Sequence, residues 1–421
     1  MIHDVVIIGG GFGGVKIAKI LADEKNLRVT LVDKSRYHTF YPNLYEVATA
    51  HLPEVFGHLP IDFVDLKSSV IYPLEDIFLD DLNVSVLEDE FLGADFKKHF
   101  VNLKRTGKLR YDFLVLAMGS ETNYFGIPGM TEKALPLKNF FDALALRNAI
   151  DELFFRAPKN HLIKIVIGGG GFTGCELAGE LMGYMDKLSQ IHGRPRYYAE
   201  CLIVEAAEAL LGSASPWVQK KAKARLQKLG VKFMFKSAIK EIGQKEIILG
   251  GGPPAGEACP KVPYDLLVWT AGVKASESVK ALEGVKFEKA SCVAVDKNLR
   301  IAPYENVFGV GDITYCVDEA TGKSLPMTAS VALREAKCVA ENIKRTAARK
   351  TLLHYRVNHP GFIIPLGGKY ALLELYGVRF SGFLPWFLKE FIALRYWAGL
   401  LGWQRAYGLW RKGLEIHSRN D

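Results

Sequence analysis

The chain reads as an α/β protein that uses one strand–turn–helix plan twice and then adds a helical region of different character, and three observations predict this. Residues 4–14, DVVIIGGGFGG, are a β-branched run ending in clustered glycines. Residues 163–174, IKIVIGGGGFTG, repeat the pattern. Each repeat is closed later by an apolar strand that stops at a glycine, YDFLVLAMG at 111–119 and YDLLVWTAG at 264–272. Strands buried on both faces of a parallel sheet read as continuous apolar runs of this kind. The expected architecture is two Rossmann-like dinucleotide-binding domains, the second inserted in the first. The first takes residues 1–120 and 290–350, the second 121–289, and 351–421 form a C-terminal amphipathic helical region.

In the opening unit Gly9, Gly11 and Gly14 have the G-x-G-x-x-G spacing. The first glycine makes the tight turn, the second lets the backbone approach a pyrophosphate, and the third lets the helix pack on its strand. Phe12 and Gly13 lie inside the motif, and the helix N-terminus carries the anion. About twenty residues on, Asp33 closes a second apolar run, followed by Lys34, where an acid accepts hydrogen bonds from a ribose. The aromatic, proline-broken segment 37–49 with Tyr41 either lines a cofactor or is a packed loop. Ala117 and Gly119 end the closing strand, and glycines at 126 and 129 mark the exit from the first domain.

The second unit carries Gly169, Gly171 and Gly174 at the same spacing, around Phe172 and Thr173. A polar insertion near 190–196 delays its acid, Glu205, to about thirty residues after Gly174, beyond the usual twenty or so. A carboxylate there accepts ribose hydroxyls and repels a 2′-phosphate, so NADH is expected rather than NADPH. Ala271 and Gly272 end the closing strand. The run 306–313 then reaches Gly311 and Asp312, which read either as a second contact on the first cofactor or as a plain turn; two preceding glycine motifs favour the contact.

Composition narrows the class. At 421 residues and 49% apolar the chain can bury more than one core. Six cysteines show neither C-x-x-C nor metal-ligand spacing, so free thiols in a reducing compartment are expected, with no metal. The first strand begins almost at Met1, which leaves no room for a cleavable signal, and no run is apolar enough to span a bilayer. The net charge of +8 is moderate, and about half of it lies between Arg379 and Asp421. No nucleic-acid partner is expected. In that tail Trp386, Trp397, Trp403 and Trp410 alternate with Lys389, Arg395, Arg405, Arg411 and Lys412. Phe387, Phe391, Leu394, Trp397, Leu400 and Leu401 recur at helical spacing, so the tail either settles on an anionic lipid surface or packs on the protein or on a second subunit as a homodimer.

These motifs, with the segment HTFYPNLYEVA at 38–48 and GFTGCELAGE at 171–180, resemble the flavoprotein disulfide reductase superfamily and, within it, the type II (non-proton-pumping) NADH:quinone oxidoreductases. The resemblance implies FAD in the first domain, held by Gly9, Gly11, Phe12, Gly13, Gly14, Asp33, Lys34, Tyr41, Ala117, Gly119, Gly311, Asp312 and Ala329. It implies NADH in the second, held by Gly169, Gly171, Phe172, Thr173, Gly174, Glu205, Ala271 and Gly272. It also implies a peripheral enzyme on the cytoplasmic face of the cell membrane that passes two electrons to a membrane quinone, with Glu176 near the flavin between the nicotinamide and quinone sites. One stretch departs from the family: its quinone signature A-Q-x-A-x-Q reads here Ala329, Ser330, Val331, Ala332, Leu333, Arg334, with both glutamines replaced. Ser330 and Arg334 are therefore the expected quinone residues, and the acceptor is open. No cysteine follows Gly14 in the first helix, which removes the dithiol reductases. A sulfide:quinone-type reductase using Cys316 and Cys338, another non-quinone acceptor, or an NADH-responsive flavoprotein sensor remain as alternatives.

Overall fold

The computed structural model describes residues 2–51, 61–250, 259–319, 321–358 and 360–417. By contacts the chain divides into two units: Met1–Thr39, Ile71–Glu121 and Val273–Asn358 form the first, and Phe40–Val70, Thr122–Gly272 and His359–Asp421 the second.

The first unit is built on a five-stranded sheet in the order Val307–Gly309, Phe113–Leu116, His3–Ile8, Leu27–Asp33, Val84–Glu88. All its pairings are parallel, with Val5 beside Val29 on one flank and Phe113 on the other. Val5, Ile7, Val29, Leu31, Leu114 and Val115 are fully buried, as a sheet covered on both faces requires. Helices Phe12–Leu21 and Ala329–Ala347 pack on this unit, the latter capped by the Thr328 hydroxyl on the Val331 N–H. A three-stranded antiparallel sheet, Phe91–Asp95, Phe100–Leu103 and Gly107–Arg110, completes it.

The second unit repeats the plan: a parallel sheet in the order Ala134–Pro136, Leu266–Trp269, Ile163–Gly168, Ala199–Val204, Lys232–Met234, and a small antiparallel sheet of Ala238–Ile242, Glu246–Gly250 and Lys261–Pro263. Its long helix Phe172–Ile191 follows the glycine turn, and Phe140–Arg156 starts at a full capping box between Asn139 and Asp142. A hairpin sheet, Gly361–Pro365, Ala371–Leu375 and Val378–Gly382, leads into the tail helices Phe383–Leu401 and Trp403–His417.

The tail corrects one expectation. Its apolar residues do not form a single outward face: Leu394, Trp397 and Leu400 are buried, with the Trp397 ring 5.7 Å from Phe40. Phe383, Leu384, Phe387, Phe391 and Ile392 are exposed. Lys389 is not an interfacial cation either, because its ammonium lies inside the unit between Glu46 and Glu390. A helix apolar nearly all round has two jobs, and periodicity alone did not separate them. Among the described residues no helix is long and apolar enough to cross a membrane.

Candidate active site: two glycine cradles

In the first unit the strand His3–Ile8 turns at Gly9, whose φ of +115° favours glycine and whose missing side chain leaves room for the Ala117 carbonyl. A side chain at Gly14 would overlap the Gly9 carbonyl, so the third glycine is required by packing within the turn. Gly11 is different, since a side chain there would meet nothing within 4 Å. At the second position of this turn an unobstructed glycine leaves the backbone open to an approaching group. This fits a dinucleotide pyrophosphate at the helix N-terminus.

Asp33 accepts the Gly10 N–H at 2.5 Å and the Ser35 N–H at 2.7 Å; burial pushes its carboxyl upward while these N–H groups oppose the shift. Lys34 is exposed beside it. His38, fully buried, bonds the Gly10 carbonyl through Nδ1 at 2.9 Å and stands edge-on to Phe12. Burial pushes it down to about 4, so the ring is neutral and braces the turn rather than adding charge. Beyond the strand Val307–Gly309, Val310 lies over Gly13, and the Asp312 carboxylate accepts the Ser120 hydroxyl. The Gly311 N–H donates to Glu335 at 2.7 Å, so Gly311 offers a ligand no amide of its own. Glu335 is 1% exposed; burial, assisted by Asp312, pushes it up to about 8. Ala117 is buried, Gly119 has φ +70°, and Ala329 opens the capped helix.

The second cradle follows the same rules. Gly169 has φ +108° against Ala271, a side chain at Gly174 would overlap the Gly169 carbonyl, and Gly171 is open. Glu205 accepts the Gly170 N–H at 2.6 Å and the Ala207 N–H at 2.7 Å, as Asp33 does in the first. Each of its oxygens keeps a lone pair for a ribose hydroxyl. Thr173 and Ala271 are exposed, and Phe172 is edge-on to Phe362. Gly272 sits under Phe125.

Of the residues expected to hold the first dinucleotide, the structure gathers all but one in the first unit. Tyr41 belongs to the second, 41% exposed with the Lys138 ammonium 5.3 Å from its ring centre. The second unit also holds Glu176 on the helix Phe172–Ile191, half-buried. Burial pushes its carboxyl up to about 8, with Lys389 pulling it down and Glu46 adding to the rise. Lys389 donates to Glu46 at 2.5 Å and to Glu390 at 2.9 Å, and Tyr45 donates to Glu46 at 2.9 Å. Burial alone opposes the Lys389 charge, but the two carboxylates outweigh it and hold the ammonium above its ordinary value. Sequence reading missed this cluster, and His38 and Glu335 as braces. Its members are far apart in the chain, and Lys389 in an aromatic helix reads as surface. Ser330 is exposed and Arg334 half-buried, joined by an Nη1 to Oγ bond of 2.8 Å.

Residues 3–336 match the pyridine nucleotide-disulphide oxidoreductase family. A type II NADH:quinone oxidoreductase of Staphylococcus aureus is 28% identical over 402 residues, covering 93% of this chain and 94% of that protein. NDH2 from Plasmodium falciparum, solved in complex with NADH, shares the fold with a TM-score of 0.86 at 16% identity, over 100% of this chain and 99% of that one. The sulfide:quinone oxidoreductase of Aquifex aeolicus follows at 0.76 and 19% identity, over 98% and 95%. Matched over most of its length and carrying both cradles, the chain belongs to the pyridine nucleotide-disulphide oxidoreductase family.

Proposed function

We propose that this protein is an FAD-dependent NADH:quinone oxidoreductase of the type II kind, acting without proton pumping at a membrane surface. The observation that carries it is the pair of cradles, each with an open second glycine and an acid at the strand end, in a chain similar along its length to a protein of that name. FAD, once bound, supplies a carrier that takes a hydride from NADH and passes two electrons on.

The chain's own residues bind, orient and manage protons. The amides of the helices beginning at Phe12 and Phe172 take the two pyrophosphates, and Asp33 and Glu205 take the riboses. Reduction of a quinone consumes two protons. Glu176 carries one on its carboxyl below about pH 8, and the proton it gives up has to be returned from solvent, because the Lys389 ammonium beside it is held too tightly to donate. The surroundings of Cys316 and Cys338 disfavour the thiolates that a sulfide-oxidising chemistry uses. Burial pushes Cys316 up to about 12 and Cys338 up to about 11. The exposed apolar stripe Phe383, Leu384, Phe387, Phe391 and Ile392 docks on the bilayer, with the exposed Arg395 at its edge.

Anaerobic addition of NADH should bleach the absorbance of bound flavin, and a quinone added next should restore it. A protein that cannot be loaded with FAD, or a reduced form that no quinone reoxidises, overturns the reading; the second outcome leaves the sensor alternative. Flotation with anionic vesicles tests the surface: Phe387→Glu with Phe391→Glu should release the protein without loss of flavin. An unchanged flotation profile would assign that stripe to a second copy of the chain.

A further inference from the structure

The two strand-end acids stand in different company. Asp33 is followed by Lys34 and Arg36, whereas residues 205–215 carry a second acid, Glu208, and no Lys or Arg. The cation at this loop comes instead from beyond the neighbouring strand Lys232–Met234, which runs parallel to Ala199–Val204. Three backbone bonds tie that segment to the acid-bearing loop. The Glu205 N–H donates to the Met234 carbonyl at 2.8 Å, the Lys236 N–H to the Ala207 carbonyl at 3.0 Å, and the Ser237 N–H to the Glu205 carbonyl at 3.0 Å. Ala207 also donates its own N–H to the Glu205 carboxylate, so a single residue joins the backbone of Lys236 to the group expected to hold the ribose.

Lys236 is held there in a conformation that lysine rarely adopts. Its φ is +53°, in the left-handed region, and such a residue persists where its surroundings fix it. Besides the backbone bonds, the Ser237 hydroxyl donates to the Phe235 carbonyl at 2.9 Å, and the Phe235 ring stacks on Phe233 with centres 5.6 Å apart. The Lys236 ammonium meets the Glu208 carboxylate at 2.6 Å, and this bond and charge hold Glu208 below the usual carboxylate range. Both side chains are exposed, so the pair is weak enough to exchange partners. A 2′-phosphate on the adenosine ribose needs a cation beside it. Lys236 is the cation bonded into this loop, and Glu208 already has it.

We propose that Glu208 is a second coenzyme-selecting residue: by holding Lys236 it denies a 2′-phosphate its counter-charge, so that NADPH is refused by the Glu208–Lys236 pair as well as by Glu205. The proposal rests on the reading of the second cradle as the NADH site and adds a specificity determinant to it. The two acids leave different signatures. Glu205 also serves the ribose hydroxyls, so its loss weakens the unphosphorylated coenzyme too, whereas loss of Glu208 acts on the phosphorylated one alone.

The test uses FAD-loaded, oxidised enzyme and two redox-inert probes, ADP-ribose and 2′-phospho-ADP-ribose, with affinities read by titration calorimetry. Glu208→Gln should tighten the phosphorylated probe about fivefold and leave ADP-ribose unchanged, and the gain should shrink as salt rises. Adding Lys236→Met to Glu208→Gln should take the gain away. Anaerobic flavin reduction gives a second readout, in which the NADPH-to-NADH rate ratio should rise about fivefold in Glu208→Gln and return to the wild-type ratio in the double variant. An unchanged affinity for 2′-phospho-ADP-ribose in Glu208→Gln, with ADP-ribose bound as in wild type, would overturn the inference and leave the cradle reading standing. A gain that survives Lys236→Met would overturn it as well, since Glu208 would then act by repulsion alone. Failure of wild type to bind ADP-ribose with its flavin in place would remove both.

Discussion

The two glycine cradles differ at one residue of the turn, and that residue sets how each is covered. The first reads Gly9-Gly-Gly-Phe-Gly-Gly14 and the second Gly169-Gly-Gly-Phe-Thr-Gly174, so Thr173 stands where the first turn has Gly13. At Gly13 a side chain would run into Val310, which follows the edge strand Val307–Gly309; Thr173 is exposed. In the second unit the equivalent edge strand is Ala134–Pro136, which comes before the glycine turn and leads to the helix Phe140–Arg156. The first cradle is therefore covered at Gly13 by Val310, with Asp312 and Glu335 beside it, whereas the second is exposed at Thr173 and has the late-chain Phe362 edge-on against Phe172. A covered site suits a resident cofactor and an open one suits a coenzyme that comes and goes each turnover.

The sharpest way to break this comparison is at the third glycines. Gly14→Val and Gly174→Val drive a side chain into backbone that cannot yield, and each should cost its unit ~3 kcal/mol or more, read as a lost or lowered melting transition. Gly11→Val and Gly171→Val should leave melting nearly unchanged while removing FAD and NADH binding respectively. Equal damage from all four would mean that the open glycines are structural after all.

The mismatched pair gives the next largest effect. Gly13→Thr should cost about 1–3 kcal/mol and speed FAD release on dilution, because Val310 must move. Thr173→Gly should stay within about 0.5 kcal/mol, since an exposed helical position loses only propensity. If Gly13→Thr keeps its flavin as tightly as wild type, the cover does not retain the cofactor.

Glu176 sharpens the comparison from the second unit. Its folded value of about 8 lies above the ordinary 4.5, so the folded form prefers the proton. The unfolded carboxyl ionises first as pH rises, and this group destabilises the fold increasingly from about 4.5 to about 8 and constantly beyond. Glu176→Gln should therefore raise the melting temperature relative to wild type at pH 9 and leave it unchanged at pH 4. It should also abolish a fall in quinone reduction as pH passes about 8, with flavin reduction by NADH as the control. A wild-type rate flat from pH 6 to 9.5 would take the proton role away from this residue.

The smallest effect is coenzyme choice. Glu205→Gln should narrow the NADH over NADPH preference by about tenfold, since charge at an open site is partly screened. Asp33→Asn should leave coenzyme choice untouched and weaken FAD instead. Wild-type enzyme using both coenzymes equally would remove Glu205 from the ribose.

Sequence spacing made the cradles legible because their logic is local: turn, helix and acid lie within about thirty residues, and glycine spacing reports backbone geometry directly. The paired sheets were legible for the same reason, since strands buried on both faces leave unbroken apolar runs such as 113–116 and 266–269. The braces were not. His38, Glu335 and Lys389 act through partners distant in sequence, and a buried charge looks like a surface one until its counter-charges are placed. The cluster of Glu46, Lys389 and Glu390 joins residues more than three hundred positions apart, and no periodicity encodes it.

That cluster also limits how the protein can be shortened. A chain ending before Phe383 would lose its exposed apolar stripe, the usual motive for making a soluble version. It would also strip Glu46 of the cation that faces it at 2.5 Å and uncover the apolar surface on which Leu394 and Trp397 pack. The tail helix is thus a structural strut as well as a candidate anchor. A well-behaved truncation has to replace the uncovered apolar residues, Phe40 among them, and the same shortened chain without such changes should precipitate or melt early.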